Sequence, residues 1–498
     1  MRDSRWALIL AGAFLILAGI SRFCRLDWSF SGDETSTFAE VRSLSEKPFF
    51  SSDLETYDRL PRAHPVAYVL QIGTYRLFGQ SEAGARTGAA IAGTLSIAAI
   101  VLLTCLLFGR TSAVFVGVLL VMWPWHILHS QTNRLYSYAF LFGSLAMLTG
   151  ALAWARNRFA WGAISGVASA LAISSHNLTV VVPVSLCAYT ILSLFTSKAP
   201  FPRRAAAGYA FVGFPLIISA CTLGVLAMRG WSGDVGPGYG TVHTLQGLFY
   251  NLTWGVSLLA LVGWLLAWRS GSQPLRMIAV IAAITMGMCV FLPAVASFRH
   301  DYAFAVSASY VLLASHALTE AYHLLRAHSR VLAWGIVGTL LLLPLPSLAS
   351  YYQDGDRKDY RAAATYIKDH WQEGDLVAAD SPGPLGYYMP VDVKPAHRPS
   401  TEPKACIEAL ESLARTGKRI WYVCRYAREE PPQWADQWLW QNAVRMLRIK
   451  KQRFDYHENV MDVYLLQSGP DRKRGDAHYE EDLLRKTDGG GPQKATAE

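Results

Sequence analysis

The sequence contains few charged residues for its length. Asp, Glu, Lys and Arg make up 17% of its 498 residues, whereas hydrophobic residues make up 52%. An ordinary soluble domain is about a quarter charged. The apolar residues are also grouped in segments of about 20 nearly uncharged residues, the length that a helix needs to cross roughly 30 Å of hydrocarbon. The composition therefore excludes an ordinary soluble protein and predicts an α-helical polytopic membrane protein.

Two further classes of protein are excluded by what the sequence lacks. The net charge is +9, but the basic residues lie mostly in short loops between apolar segments, so no nucleic-acid partner is expected. The seven cysteines show no spacing typical of a zinc cluster. Cys406 and Cys424 fall in a late polar region, where a disulfide and two free thiols both remain open.

The apolar segments predict eleven membrane spans. The first, Trp6–Ile20, follows Arg2 and Arg5 and is predicted to be an uncleaved anchor, because no signal-peptide cleavage site follows it. The other spans are predicted near residues 85–108, 112–128, 135–155, 159–175, 178–196, 205–227, 247–268, 275–296, 302–325 and 330–349. The segment 64–79 is too short and too polar for a span and is predicted to be an amphipathic helix in the outer interface.

The loop charges predict the orientation of these spans. If the N-terminus is cytoplasmic, the inner loops carry Arg110, Arg156, Arg158, Lys198, Arg203, Arg204, Arg269, Arg276, Arg326 and Arg330, whereas the short outer loops carry Arg134, Arg229 and Arg299. Cytoplasmic loops are typically the basic ones. We therefore expect an integral inner (plasma) membrane protein whose first outer loop, residues 24–84, and whose chain after residue 350 are periplasmic or extracellular.

Composition divides the chain into three regions. Residues 1–350 form the predicted transmembrane module. Residues 351–467 alternate helical patterns with short apolar strands, such as "LVAAD" after Gly374 and "RIWYVCRY" after Gly417, which predicts a small soluble α/β domain. Residues 468–498 are rich in Gly, Lys and Glu without periodicity, so a disordered tail is expected.

Several short motifs occur in order along the chain. "GDET" contains Asp33 and Glu34, a His-Pro opens the segment from His64 to Gly79, "HSQTNRLYSYAF" begins at His129, and the polar domain begins "DYRAAATYIKDHWQEGDLV". This order resembles the GT-C glycosyltransferases, and in particular the bacterial branch similar to protein O-mannosyltransferases and to the aminoarabinose transferase of lipid A. The resemblance covers the chain except its tail.

The resemblance implies an inverting glycosyltransferase. Such an enzyme moves a sugar from a polyprenyl-phosphate donor to a hydroxyl acceptor in lipid, polysaccharide or protein on the outer face of the membrane. Asp33 holds the position of the family's catalytic acidic residue, and Glu34 beside it orients the acceptor or assists. A carboxylate within hydrogen-bond reach takes the proton of a poorly nucleophilic hydroxyl, and fixed cations stabilise the departing phosphate.

The resemblance also implies a set of substrate-binding residues. Arg134 is at the position of the arginine in S-Q-x-x-R-x-Y, with Gln131 and Tyr136 beside it, and its guanidinium suits phosphate. The remaining expected substrate-binding residues are His64, His176 in "SSHNLT" and Arg299 in "SFRHDY". No cofactor or metal is expected to be obligatory, and a divalent cation is left open.

Each of these residues also has a purely structural interpretation. Ser31 to Glu34 fits a capping box that starts a surface helix. Arg134 fits an interfacial side chain that reaches the lipid headgroups, and His64 precedes a proline that starts a helix. Two other functions stay open, namely a transporter or lipid flippase with an outer accessory domain, and a scaffold of an envelope assembly. A transporter typically has inverted repeats and charges at the midplane of its spans, and the sequence shows neither.

Overall fold

A computed structural model of the protein describes residues 2–46, 63–196, 201–228, 240–295, 300–342, 344–354, 358–397, 402–426, 438–439, 441–452 and 458–466. The chain divides into two compact units. The first comprises Met1–Trp28 and Ser36–Gln353, and the second comprises Ser29–Thr35 and Asp354–Glu498. The predicted disordered tail, residues 468–498, lies outside the described residues.

The first unit is helical. Its helices are α1 (Arg2–Phe23), most of α2 (Gly32–Ser45), α3 (Pro65–Phe78), α4 (Glu82–Phe108), α5 (Arg110–Val121), α6 (Pro124–Ser130), α7 (Tyr136–Arg156), α8 (Phe159–Ile173), α9 (Val181–Thr196), α10 (Arg203–Gly208), α11 (Phe214–Met228), α12 (Gly240–Leu252), α13 (Trp254–Arg269), α14 (Gln273–Val295), α15 (Ala308–Arg326), α16 (Arg330–Leu342) and α17 (Leu345–Asp354). Helix α1 packs along α4, α7 along α8, and α13 along α15. Their apolar faces form one continuous core.

The helices coincide with the predicted spans, but the number of spans is not confirmed. In the described part of the chain, six helices are long and apolar enough to cross a membrane, and two bent pairs raise the number to at most eight. The pair α5–α6 bends by 63° and the pair α12–α13 by 95°. The predicted spans 159–175 and 330–349 correspond to shorter apolar helices. The candidate spans in the described residues therefore differ in length, two of them are bent, and the prediction of eleven spans stays a prediction.

Each bent pair has a local cause. Pro124 has no backbone N–H, so α5 cannot continue into α6, and Trp123 between them is extended. Thr253 ends α12 at φ 67°, which is unfavourable for a β-branched residue, and its hydroxyl accepts a hydrogen bond from the Val256 N–H at 3.4 Å. The Trp123 indole N–H donates to the Asn251 carbonyl at 2.7 Å. One hydrogen bond therefore joins the two breaks.

Helix α3 corresponds to the predicted interfacial helix. It has Pro65 at its first position and does not meet the criteria for a span. Its buried face consists of Ala67, Tyr68, Gln71, Ile72 and Tyr75. Its other face exposes apolar side chains, with Leu77 79% exposed and Phe78 52% exposed. A helix that is apolar on its exposed face fits the expected position at the membrane interface, which stays a prediction.

The second unit is an α/β domain, as the sequence predicts. Its elements are α18 (Tyr360–Asp369), β1 (Leu376–Ala379), α19 (Pro382–Tyr388), β2 (Val393–Pro395), α20 (Pro403–Ala414), β3 (Ile420–Tyr426), β4 (Ala443–Gln452) and β5 (Glu458–Leu466). The strand order is β2-β1-β3-β5-β4. Strand β1 is parallel to β2 and β3, whereas β5 is antiparallel to β3 and β4. Gly374 and Gly417 adopt positive φ, which explains the turns before β1 and β3.

The two faces of the sheet cover different cores. Trp421 and Val423 of β3 pack on one face with α18 and α19. Tyr422 and Cys424 point to the other face, where they pack with Cys406 of α20. Cys406 and Cys424 are both buried free thiols, so the structure has no disulfide between them.

Candidate active site

Asp33 and Glu34 lie in the first turn of α2 in different surroundings. The Ser31 backbone N–H and the Ser31 hydroxyl both donate to Glu34 Oε2 at 3.0 Å. Glu34 is fully buried, whereas Asp33 is exposed. The capping interaction expected from the sequence is therefore present and uses Glu34. The catalytic roles of Asp33 and Glu34 stay predictions.

Three histidines of the helical unit converge at helix ends. His64 precedes α3, His129 lies in α6, and His176 follows α8. The rings of His64 and His176 stack with their centroids 5.5 Å apart and their planes at 16°. The Tyr136 ring lies 5.5 Å from His176 and 4.7 Å from His129. His64, Tyr136 and His176, each predicted to bind substrate, are thus brought together.

We call the group His64, His129, Arg134, Tyr136, His176 and Tyr302 the histidine cluster. One ring contact adds Tyr302 to it, and one backbone hydrogen bond supports it from outside. The Tyr302 ring lies 5.6 Å from that of His176. The Val66 N–H donates to the Ser174 carbonyl at 3.2 Å, which ties the start of α3 to the end of α8. The stacking of His64 on His176 therefore rests on a backbone hydrogen bond between two elements distant in the sequence.

Burial keeps the stacked histidines neutral. Desolvation, followed by the charge of Arg134, lowers the pKa of His64 to about 4. Desolvation lowers the pKa of His176 to about 3, with His64 and then Arg134 contributing further. A neutral imidazole has one donor and one acceptor nitrogen. The Nδ1 atoms of His64 and His176 are buried and have no hydrogen-bond partner in the described part of the chain, which is unusual for buried polar atoms.

Arg134 connects the histidine cluster to α2. Its side chain is half-buried, and its Nη1 donates to Thr37 Oγ1 at 3.0 Å. Thr37 lies four residues, or about one helical turn, after Asp33 on α2. Helix α2 therefore carries the predicted base in its first turn and the hydrogen-bond partner of Arg134 in the next.

Gln131 is bound by the end of α1. Its Nε2 donates to the carbonyls of Ser21 and Cys24 at 3.1 and 2.6 Å. Its Oε1 accepts a hydrogen bond from the Tyr351 hydroxyl at 2.7 Å. These bonds hold the loop after α6 against α1, while the predicted contact of Gln131 with substrate stays a prediction. Arg299, also predicted to bind the donor, lies outside the described residues.

Two buried arginines support this region, although no motif in the sequence distinguishes them. Arg22 donates to the carbonyls of Leu120 and Val121 at 2.6 and 2.8 Å and so caps the end of α5. Arg86 donates to the Leu26 carbonyl at 2.8 Å and also to the carbonyl of Trp28. Both side chains are fully buried. The sequence feature that indicates a buried, structural arginine is its position within or beside an apolar segment.

The histidine cluster does not have the donor arrangement of a metal site. Among the described residues, no group of three or more His, Cys, Asp and Glu side chains is arranged to hold a metal ion. The stacked rings of His64 and His176 present faces rather than converging nitrogen lone pairs. The expectation that no metal is obligatory stays a prediction.

The comparisons with known proteins agree on one fold. The family model for dolichyl-phosphate-mannose-protein mannosyltransferases matches residues 62–218. ArnT from Cupriavidus metallidurans in the apo state has a TM-score of 0.57 at 15% identity, covering 93% of this chain and 98% of that one. ArnT bound to undecaprenyl phosphate has a TM-score of 0.55 at 16% identity, covering 92% and 98%.

A second kind of enzyme has a similar fold. The oligosaccharyltransferase AglB from Archaeoglobus fulgidus, in complex with an inhibitory peptide and a dolichol-phosphate, has a TM-score of 0.56 at 14% identity, covering 84% of this chain and 69% of that one. No curated protein matches the chain in sequence.

The helical unit, the α/β domain and these likenesses define the fold of the protein. The chain is an integral membrane protein whose fold is similar to those of ArnT and AglB. The part of the chain from just before α3 to the first turns of α11 is similar in sequence to the dolichyl-phosphate-mannose-protein mannosyltransferase family.

Proposed function

We propose that the protein is an inverting glycosyltransferase that moves a sugar from a polyprenyl-phosphate donor to a hydroxyl group of a lipid, polysaccharide or protein. The observation that carries this proposal is the buried, stacked pair of His64 and His176 beside Arg134, with both Nδ1 atoms lacking a partner in the described residues. Undecaprenyl phosphate in ArnT and dolichol-phosphate in AglB support a donor of this class.

The histidine cluster suits a phosphate that gains charge during the reaction. In the donor, the phosphate is a diester with one negative charge. When the sugar leaves, the phosphate becomes a monoester and a second charge develops on it. The guanidinium of Arg134 can donate two parallel hydrogen bonds to such a group. A neutral imidazole N–H adds a further donor without the cost of burying another cation.

Asp33 is the group that we propose as the base. The acceptor hydroxyl gives its proton to the Asp33 carboxylate, and the acceptor oxygen bonds to the anomeric carbon. The bond from that carbon to the phosphate oxygen breaks, its electron pair stays on the phosphate, and the configuration inverts. Asp33 is exposed, whereas the buried Glu34 is bound to Ser31. Glu34 thus supports Asp33 by fixing the start of α2.

We place this reaction on the outer face of the membrane. The basic residues of the predicted inner loops favour a cytoplasmic N-terminus. The loop that carries Asp33 then lies outside, where the lipid tail of the donor stays in the bilayer while its sugar phosphate is at the surface.

Purified protein in detergent tests the proposed function. It is incubated with undecaprenyl-phosphate-linked hexoses and pentoses and with an envelope extract from cells that lack the gene, and released undecaprenyl phosphate is measured by mass spectrometry. We expect release with at least one sugar, because transfer needs no sealed compartment. A transporter or flippase would leave every donor intact in detergent, and that result would overturn the proposal.

A further inference from the structure

The segment Ser29–Thr35, which we call the acidic segment because it carries Asp33 and Glu34, folds with the α/β domain. It follows α1 in the chain, yet its contacts group it with Asp354–Glu498. In parallel α/β sheets, ligands usually bind beyond the carboxyl ends of the strands. Here the residues that follow β1 and end β3 face the protein's own acidic segment.

Three contacts anchor the start of the acidic segment. The Phe30 N–H donates to the Tyr388 hydroxyl at 2.7 Å, and the Phe30 ring packs edge-on against Tyr387 with their centroids 5.1 Å apart. The Arg361 N–H, in the first turn of α18, donates to Ser29 Oγ at 3.3 Å. Phe30 is fully buried. Helices α18 and α19 therefore hold the residues just before Asp33.

A buried ion pair lies behind the start of α2. Arg425, near the end of β3, donates through Nε to Asp380 Oδ2 at 3.0 Å. The Asp380 side chain is fully buried and that of Arg425 is 11% exposed. Gly32 lies against this pair, because a Cβ placed there would be 3.7 Å from Arg425 Nη1. The other end of the acidic segment contacts α19, because a Cβ placed on Gly383 would lie 3.8 Å from Thr35 Oγ1.

From these contacts we propose that the α/β domain is a positioning module for Asp33, and that Tyr388 and the Asp380–Arg425 pair are positioning residues. The proposal rests on the proposed function, in which Asp33 is the base. A general base acts only within hydrogen-bond reach of the proton it takes, so small displacements are costly. The residues between the end of α1 and the start of α2 are not helical, and their conformational freedom must be removed to fix the first turn of α2. Anchoring Phe30 three residues before Asp33 removes much of it.

Tyr388→Phe tests this role, because it keeps the ring and deletes the hydroxyl that accepts the Phe30 N–H. Tyr422→Phe is the matched control, since it deletes a hydroxyl that donates to the His397 carbonyl at 3.0 Å on the other face of the sheet. In the full-length protein, we expect faster amide hydrogen exchange over residues 29–35 in Tyr388→Phe and unchanged exchange in Tyr422→Phe. We also expect kcat to fall roughly three- to tenfold in Tyr388→Phe, with the donor KM unchanged.

A second background shows whether Tyr388 acts through Asp33. In an Asp33→Asn protein, Tyr388→Phe should produce no additional loss of turnover, because the base that it positions is gone. Unchanged exchange over residues 29–35 in Tyr388→Phe would overturn the anchoring. Faster exchange with an unchanged kcat, or an equal kcat loss in the Asp33→Asn background, would overturn the positioning role. Normal turnover of Asp33→Asn alone would instead contradict the proposed function, so the two failures are distinguishable.

Discussion

Buried charges are handled differently in the two units. In the helical unit, Arg22 is fully buried and donates to the backbone carbonyls of Leu120 and Val121. In the α/β domain, buried carboxylates bind arginines, as Asp380 binds Arg425 and as Asp462 binds Arg448 at 2.7 and 2.8 Å. An arginine bound to carbonyls fixes the backbone where a helix breaks, whereas an arginine bound to a carboxylate joins two side chains of neighbouring strands.

The same difference extends to the titratable groups. His64 and His176 are kept neutral by burial. In the α/β domain, burial raises the pKa of Asp380, and the charge and hydrogen bonds of Arg425 act in the opposite direction. The helical unit therefore places neutral imidazoles beside a cation, the arrangement that we propose binds phosphate. The α/β domain instead pairs its buried charges with one another.

The substitution with the largest expected effect tests the buried ion pair of the α/β domain. Asp380→Ala leaves Arg425 buried without its carboxylate, so the free energy of unfolding of the α/β domain should fall by about 3–5 kcal/mol. Asp392→Ala is the control, because Asp392 pairs with Lys394 on the surface, where the Asp392 side chain is 78% exposed. That substitution should cost at most about 1 kcal/mol. Hydrogen exchange of the β3 amides in the full chain measures both values, and equal costs would contradict the distinction.

Acidification tests the neutral histidines of the helical unit. Their pKa values in the folded protein lie below that of an unfolded histidine, about 6.5, so the unfolded chain takes up protons first as the pH falls. Their contribution to stability is therefore complete above pH ~6.5 and is lost as the pH falls towards about 4, the pKa of His64. Each pH unit of this window is worth about 1.4 kcal/mol per histidine.

Thermal unfolding across this pH range checks the histidine prediction. His64→Gln should flatten the pH dependence, because the variant lacks one of the two buried groups. His328→Gln changes an exposed histidine and should leave the pH dependence as it is. A pH dependence that is the same in His64→Gln as in the unsubstituted protein would contradict the neutral, buried state of His64.

A smaller effect is expected from the cation beside the histidines. Arg134→Ala removes the charge-assisted hydrogen bond that we propose Arg134 makes to the donor phosphate, so the donor KM should rise about 10- to 100-fold. The donor KM of Arg134→Lys should lie between those of the unsubstituted protein and of Arg134→Ala, because an ammonium keeps the charge without the two parallel donors. Arg158→Ala, an exposed arginine at the start of α8, is the control and should bind donor normally. An unchanged donor KM in Arg134→Ala would remove Arg134 from the phosphate site.

Local signals predicted the parts of this fold that depend on neighbours in the sequence. The turns at Gly374 and Gly417 mark the starts of β1 and β3, and the Ser31–Glu34 pattern marks the start of α2. The sequence did not predict strand β4, because charged residues interrupt the apolar–polar alternation of "AVRMLRIKKQ". This strand is instead stabilised by its antiparallel pairing with β5.

The interactions that place the candidate site are distant in sequence and therefore have no local signal. The acidic segment is anchored by residues far away in the sequence. Tyr388 lies 358 positions after its partner Phe30, and Arg361 lies 332 positions after its partner Ser29. The break at Thr253 has no proline beside it, and the tertiary contact of Trp123 with Asn251 lies at this break. His64 and His176, whose rings stack in the histidine cluster, are 112 positions apart in the sequence.

The most direct test of the account compares the two adjacent carboxylates. Turnover of a polyprenyl-phosphate sugar is measured for purified Asp33→Asn and Glu34→Gln proteins, together with their melting temperatures. Asp33→Asn should lose a factor of about 10²–10⁴ in turnover and melt normally, because its carboxylate is exposed. Glu34→Gln should keep most of its turnover and lose about 1 kcal/mol of stability, because it weakens the capping interaction with Ser31. Near-normal turnover of Asp33→Asn would contradict the account.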